Sequence, residues 1–301
     1  AVGAQGAQGA QGHQGVQGAT GTTGGTGQQF VNLESLGSAS NTGNNTFAGY
    51  NSGIALNGAD HSTFFGYNAG KAALNAGNNC FFGSNSGLLA TGGDNSGFGQ
   101  GTLETITSAT SNVAVGRRAL NTTTSSENVA IGADCLRYQS SGSKNTAVGR
   151  GAAEYLTTTS DNVAIGHEAL RGTSSNAVTG ASNIAIGSAA GDALRAGSQN
   201  ILIGQNAGGA MTGGHWNCII GKDALASGDC NGSIIIGLDA GTGSTGGYNV
   251  VIGKGAADIG GGWSGSNNII IGKDADPSST SVDNEITLGD SSITKFRIPG
   301  I

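Results

Sequence analysis

The side chains that most often perform catalysis are scattered along this 301-residue sequence. Acidic residues in its polar segments, such as Glu104, Glu127 and Glu154, form no recurring pair that would set two carboxylates on either side of a glycosidic bond. Serine and threonine are frequent, but no histidine and acid lie with them at one place, as a Ser-His-Asp constellation requires. The sequence therefore predicts a protein that is not an enzyme, with polysaccharide cleavage as the alternative.

Metal chemistry is also poorly supported, because the possible ligands do not cluster. The sequence has neither a CxxC pair nor a His-x-His motif, and the aspartate turn Gly92-Gly93-Asp94-Asn95 occurs once rather than in every repeat. We expect no metal and no other cofactor. The histidines and cysteines concerned are His13, His61, His167, His215, Cys80, Cys135, Cys218 and Cys230.

The cysteines are interpreted as small buried side chains. Cys80 and Cys218 occupy a repeat position that threonine, valine or isoleucine fills elsewhere, and Cys135 stands where alanine is usual. A disulfide between Cys218 and Cys230 within one repeat is the alternative.

Aromatic and basic residues at predicted loops are the candidates for contact with a receptor or a glycan. Trp263 follows three glycines in a long loop and could stack on a sugar ring. Trp216 and Tyr248 lie at predicted repeat edges, and Arg171 begins another long loop. The alternative interpretation is that these side chains cap grooves between repeats or between chains.

Two tandem arrays must position these residues, and the first covers residues 1–27. Glycine occupies every third position there, which is typical of collagen because only glycine fits the axis of a triple helix. The array contains no proline, so we expect a weak triple helix that needs a trimeric neighbour. Residues 28–44 are predicted to be an adaptor between the arrays. The collagen glycines are Gly3, Gly6, Gly9, Gly12, Gly15, Gly18, Gly21, Gly24 and Gly27.

The second array covers residues 45–293 and repeats every 16 or 17 residues, except for two longer spacings of 21 and 19. Its consensus is Asn-apolar-x-apolar-Gly-x-x-Ala, as in Asn162-Val163-Ala164-Ile165-Gly166-His167-Glu168-Ala169. Such periodicity predicts a solenoid. The aligned glycines are Gly49, Gly66, Gly83, Gly99, Gly116, Gly132, Gly149, Gly166, Gly187, Gly204, Gly221, Gly237, Gly253, Gly272 and Gly289.

The residues of this repeat predict an all-β fold, a parallel β-solenoid (β-roll) of about 15 coils. The three residues between the asparagine and the glycine, here called strand positions 1 to 3, are rich in β-branched types and too short for a helix. The recurring asparagine can stack into an amide ladder. The glycine allows a positive φ or a close backbone approach. Alanine three residues later suits the inside of a narrow coil.

Alternation along the strand predicts a parallel homotrimer. Position 2 and positions 1 and 3 point to opposite faces, and both faces carry apolar or small residues. One face can fill the chain's own coil, whereas the other needs two further copies of the chain around a threefold axis. Position 2 changes from phenylalanine through alanine to leucine and isoleucine along the sequence. We therefore expect at least two sub-blocks with different packing.

Composition excludes two classes of partner. The net charge is −6 and the pI is near 5.0, so no basic surface for nucleic acid is expected. Apolar stretches are too short to cross a bilayer, so we expect no membrane insertion. The first residues carry no initiator methionine or secretory signal, and we interpret the sequence as part of a longer chain whose residues 294–301 lead towards a further segment.

The Asn-Val-Ala-Ile-Gly-x-x-Ala-Leu unit at Asn162 resembles repeats of the long tail fibres of marine and cyanobacterial phages, which often carry collagen-like runs. The ending from Asn284 to Gly300, which begins Asn284-Glu285-Ile286-Thr287-Leu288-Gly289-Asp290, resembles the segment that closes such arrays. The repeats are also similar to the heads of trimeric autotransporter adhesins, although those repeat every fourteen or fifteen residues.

The resemblance implies a structural and adhesive trimeric fibre on a virion tail, whose shaft presents a tip to a host receptor or polysaccharide and which contacts other tail proteins. The alternative is an extracellular filament or adhesin at a bacterial cell surface. An ice-binding solenoid would need an outward threonine ladder in every coil, and threonine here is irregular.

Overall fold

The computed structural model describes residues 44–56, 61–74, 77–260 and 262–297. The predicted collagen segment 1–27 lies outside the described residues, as does the adaptor apart from residue 44. The described part contains no helix and has fifteen strands of three residues each. These are β1 (Thr46–Ala48), β2 (Thr63–Phe65), β3 (Cys80–Phe82), β4 (Ser96–Phe98), β5 (Val113–Val115), β6 (Val129–Ile131), β7 (Thr146–Val148), β8 (Val163–Ile165), β9 (Ile184–Ile186), β10 (Ile201–Ile203), β11 (Cys218–Ile220), β12 (Ile234–Ile236), β13 (Val250–Ile252), β14 (Ile269–Ile271) and β15 (Ile286–Leu288).

All fifteen strands pair in parallel in one sheet, and their order in the sheet is their order in the sequence. Equivalent residues of successive repeats are paired, so that Ala164 lies opposite Ala147 on one side and Ala185 on the other. Each repeat therefore forms one coil with one strand. The prediction of an all-β parallel solenoid with a period near 17 residues is confirmed.

The glycine after each strand is required both by its conformation and by its surroundings. Gly166 has a φ of +136°, and a Cβ built on it would lie 2.4 Å from the carbonyl oxygen of Gly187 in the next coil. No side chain fits at that distance, and L residues avoid this φ. The same contact between glycine backbones recurs along the array, for example from Gly116 to Gly132. Both predicted reasons for the glycine are confirmed.

The interior of the solenoid is built from strand position 2 and from two turn positions. The side chain at strand position 2 is buried, and so is the alanine three residues after the glycine, as at Ala164 and Ala169. A third interior column lies seven residues after the glycine, where Leu156, Leu194 and Met211 are buried. This third column was not identified from the sequence.

In several coils the bulk of strand position 2 is matched by the size of a residue in the following turn. Where position 2 is phenylalanine, the residue four after the glycine is itself glycine, and a Cβ on Gly70 would lie 2.5 Å from the Phe64 ring. In three of the five coils with alanine at position 2, leucine stands there, as in the pair Ala164 and Leu170, both buried. The expected change of packing along the axis occurs within one continuous sheet.

The opposite face of the sheet is apolar but open. Positions 1 and 3 point away from the coil, and their burial alternates with that of position 2 in strands such as β8. We call the outward side chains of positions 1 and 3 the outer face. Its members with exposed fractions between 36 % and 42 % include Phe98, Val113, Val115, Ile131, Ile165, Ile186, Ile201, Ile234, Ile269 and Ile271.

Candidate functional surfaces

A buried ladder of asparagines ties each coil to the next. In each step the side-chain oxygen of one asparagine accepts hydrogen bonds from the next one. Asn145 Oδ1 accepts from the backbone nitrogen of Asn162 at 3.0 Å and from its Nδ2 at 3.1 Å. Asn162 Oδ1 accepts from Asn183 in the same way. The predicted amide ladder is confirmed. Its fully or almost fully buried asparagines are Asn79, Asn95, Asn112, Asn128, Asn145, Asn162, Asn183, Asn200, Asn217, Asn249 and Asn268.

Serine substitutes for asparagine in one rung near the C-terminal end. Ser233 donates its backbone nitrogen to Asn217 Oδ1 at 3.0 Å, and its Oγ accepts from the Asn249 nitrogen at 3.1 Å. The hydroxyl therefore preserves the acceptor that the next backbone N–H needs. A buried amide hydrogen left without an acceptor is costly, which explains why a polar residue is kept at this position.

Aromatic stacking extends the outer face towards its N-terminal end. The rings of Phe65 and Phe82 are 4.9 Å apart and nearly parallel, and those of Phe82 and Phe98 are 5.3 Å apart. The outer face continues through valine and isoleucine to β15. Position 3 is apolar in all fifteen in-register strands, whereas position 1 is threonine or serine in β1, β2, β4 and β7.

A charged stripe runs along the turns after β5 to β8. Asp134 is paired with Arg118 at 2.8 Å and with Arg117 at 3.1 Å. Arg137 lies 3.9 Å from Glu154, and its guanidinium covers the ring of Tyr138 at 4.6 Å. The opposite charges of this stripe pair with one another, so it is not a site of one charge that would attract an ionic ligand.

Arg171, one of the predicted receptor contacts, belongs to this stripe. Its Nη1 lies 2.7 Å from Glu168 Oε1. Burial raises the pKa of the nearby Asp192 carboxyl above its ordinary value, and the positive charge of Arg171 opposes that rise. Arg171 follows β8, whereas Trp216 and Tyr248 precede β11 and β13. The structure therefore does not bring Arg171 together with the two aromatic residues.

The prediction that Trp263 is exposed on its glycine loop is wrong. Its exposed fraction is 0 %, and it pairs with Ser244 in the preceding coil. The longer spacing of this coil places Trp263 in the third interior column. In the preceding coil, that column holds the small residue Ser244. A large ring fills the space, so Trp263 is a core residue and its ring is not available for contact.

Trp216 and Tyr248 are exposed, with exposed fractions of 61 % and 66 %. Each stands immediately before the ladder residue of its coil and has a positive φ, 59° and 60°. His215, the residue before Trp216, accepts a hydrogen bond at Nδ1 from the Ser198 nitrogen at 3.1 Å. These two aromatics are the predicted contact residues that the structure leaves accessible in the single chain.

The cysteines divide into two pairs. Cys135 and Cys230 are buried, and burial raises the pKa of each thiol to about 12. Cys80 and Cys218 lie half-buried at position 1 on the outer face, so the interpretation of these two as buried residues is wrong in the single chain. All four thiols are free, and the alternative of a Cys218–Cys230 disulfide is contradicted.

The described residues offer neither a metal site nor a membrane-spanning helix. Histidine, cysteine and acidic side chains there form no group of three that could hold a metal ion. Within the same residues, no helix is long and apolar enough to cross a membrane. Comparison of the chain with protein families, with curated proteins and with solved structures finds no match.

Proposed function

We propose that this chain is the shaft of a non-catalytic homotrimeric fibre of a phage tail, which holds a receptor-binding tip away from the virion. The outer face is the observation that carries this proposal. Its side chains at positions 1 and 3 are apolar along most of the sheet and only partly covered by their own chain. Apolar surface of this extent is typical of an interface.

The dimensions of the outer face suit association of identical chains. Fifteen strands at about 4.8 Å give a length of about 70 Å, and three residues per strand give a width of about 10 Å. The resulting area of about 700 Å² is close to the roughly 800 Å² per partner of a standard protein interface. A second copy offers an identical row of side chains at the same spacing, so parallel copies match coil by coil.

The sequence of residues 1–27 supports the number of copies. Glycine at every third position is typical of a triple helix of three parallel chains. The proposal of a trimer thus rests on two independent features of the chain. The assignment to a phage tail rests on the resemblance of the repeats.

The proposed mechanism is that the shaft acts as a rigid spacer. Each coil is joined to the next by strand pairing and by the asparagine ladder, as between Asn162 and Asn183, and such repeated contacts favour a stiff shaft. The solenoid supplies about 70 Å of length. A stiff spacer keeps a terminal receptor-binding element at a fixed distance from the particle.

Sedimentation equilibrium tests the trimer. The full chain is expected at three times its mass of 29.3 kDa. Ile165→Asp in the outer face should shift the distribution towards monomer, because an aspartate would be buried against a partner. Leu238→Asp is the matched control, since Leu238 has the same exposed fraction of 38 % but lies in a turn. A folded wild-type monomer at micromolar concentration would refute the trimer.

Immunogold labelling tests the location. Antibodies against the solenoid are expected to decorate the tails of phage particles. Decoration of a bacterial surface in the absence of phage would instead support the cellular filament.

A further inference from the structure

The chain turns a corner immediately before each ladder position, and the residue at this corner has the same backbone conformation in successive coils. The residue before the ladder position has a positive φ in each described coil from β2 to β15. We call this set the corner column. Its members are His61, Asn78, Asp94, Ser111, Glu127, Lys144, Asp161, Ser182, Gln199, Trp216, Gly232, Tyr248, Asn267 and Asn284.

Two large aromatic residues in this column are unusual on physical grounds. A left-handed backbone suits glycine, asparagine and aspartate, and is strained for bulky side chains. Trp216 and Tyr248 nevertheless adopt it while more than half of each side chain is exposed. Because Glu127 and Lys144 of the same column share this conformation, the fold sets the backbone here and leaves both aromatic rings presented to solvent.

Both rings are held in place from one side. The Trp216 Nε1 donates a hydrogen bond to Gln199 in the preceding coil, and the His215 ring lies 5.6 Å away at an angle of 45°. The Tyr248 ring lies over Gly232, because a Cβ on that glycine would be 2.8 Å from Cδ1 of the ring. The aromatic side chains are thus oriented before any ligand arrives.

The other residues of the corner column beside the two rings carry no charge. Gln199, Gly232 and Asn267 are the other members of the corner column in this region, and Asn231 lies beside Gly232. Asn231 Oδ1 already accepts a hydrogen bond from the His215 nitrogen at 2.9 Å, which leaves its amide hydrogens available. Amides beside aromatic rings suit hydroxyl-rich, neutral ligands. No lysine or arginine stands in this part of the column to bind phosphate.

The spacing also suits a sugar chain. Trp216 and Tyr248 are two coils apart, a distance of about 10 Å along the solenoid axis. That distance is comparable with the length of a disaccharide unit, so two rings can stack on the C–H faces of sugars in one chain. An aromatic ring with an apolar face and a polar edge is well matched to such a contact.

We infer that the corner formed by Trp216 and Tyr248 binds a neutral oligosaccharide lying along the solenoid axis. This inference supplies a ligand class for the attachment role proposed above, on which its biological meaning rests. It does not require the distal tip to be the sole contact with a host.

Calorimetric titration of the assembled full chain with neutral hexasaccharides tests the inference. The probes are cellohexaose, laminarihexaose, maltohexaose, mannohexaose and chitohexaose. Saturable binding of at least one probe in the millimolar range or tighter is expected. Trp216→Ala and Tyr248→Ala should each weaken that binding by about tenfold or more. Fluorescence gives a second readout, because Trp263 is buried and Trp216 is the exposed tryptophan.

Tyr67→Ala is the matched control for these variants. Tyr67 has an exposed fraction of 53 % but stacks on Tyr50 at 5.7 Å in a different turn. Its replacement should leave saccharide binding unchanged. Circular dichroism of all three variants establishes that they are folded.

Several results would overturn the inference. They are the absence of binding to all five probes, binding that persists unchanged in Trp216→Ala, and binding of an oligothymidylate that needs the same two rings. Failure of acrylamide to quench Trp216 in the assembled protein would show that another copy covers the corner, and would also overturn it. Sedimentation of the same samples tests the trimer separately, so the two failures are distinguishable.

Discussion

Asn162→Ala removes one rung from the buried asparagine ladder and leaves its neighbours in place. Asn162 Oδ1 accepts from the buried backbone nitrogen of Asn183 at 2.9 Å, and its Nδ2 donates to Ser160 O at 2.9 Å and to Asn145 Oδ1 at 3.1 Å. Alanine provides neither group. The backbone N–H of Asn183 is then buried without its acceptor.

The expected loss of stability follows from these contacts. An unsatisfied buried N–H costs about 1–3 kcal/mol, and the lost donor bonds of the amide add about 1 kcal/mol net. The free energy of unfolding should therefore fall by about 2–4 kcal/mol per chain. Asn162→Ser should cost less than half of this, because Ser233, at the equivalent position of another coil, already accepts from the next backbone nitrogen at 3.1 Å.

Denaturant unfolding followed by circular dichroism measures the global effect, and hydrogen exchange measures the local one. The amide of Asn183 should exchange faster in Asn162→Ala than in Asn162→Ser. Equal stability of the two variants, or an unchanged exchange rate at Asn183 in the alanine variant, would refute the role given to the side-chain acceptor. Ser233→Asn supplies the reverse test and should maintain or increase stability.

Three further predictions concern packing, pH and thiol reactivity. Ala164→Leu should destabilise the coil by about 1–3 kcal/mol through overpacking, and adding Leu170→Gly should recover part of that loss in a double-mutant cycle of unfolding free energies; strict additivity would contradict the compensation. Burial raises the pKa of Asp229, but hydrogen bonds from the Thr212 hydroxyl and the neighbouring backbone nitrogens outweigh it and hold the pKa below 3.8. Since the folded-state pKa is depressed, this stabilisation is present above the unfolded value and is lost as the pH falls through the folded one; Asp229→Asn should therefore show a flatter loss of stability below about pH 4 in acid titrations, and a parallel loss would contradict this. Cys135 and Cys230, whose thiols have pKa values of about 12, should react with a thiol reagent at pH 8 only after unfolding, and rapid labelling of all four cysteines in the folded protein would be inconsistent with the core described above.

The sequence was sufficient to predict the solenoid because each repeat carries the same local requirements. Gly166 needs a positive φ and a close approach to Gly187, and no other residue type meets both conditions. Asn162 needs an equivalent partner in the adjacent coils, which periodic spacing provides. Features that are fixed by contact between identical positions can be predicted from a period alone.

The candidate contact residues were harder to predict, because exposure depends on which column a residue joins. Trp263 follows three glycines, a pattern typical of an exposed loop, yet it occupies the interior column beside Ser244. Buried Leu156, Leu194 and Met211, seven residues after their glycines, are the signal that could have revealed this column. Trp216 differs, because its position directly before a ladder asparagine already placed it at a repeat edge.

The two coils with longer spacings show which parts of the solenoid can accept additional residues. The pairs Val163–Ile184 and Val250–Ile269 keep the register of the sheet although their coils are longer than the others. The first insertion forms a small paired turn between Thr173 and Asn176. Strand residues are constrained by a partner above and below, whereas turn residues can be added without shifting either partner. New contacts are therefore expected to arise at turns and corners, while the strands of the outer face keep their regular spacing.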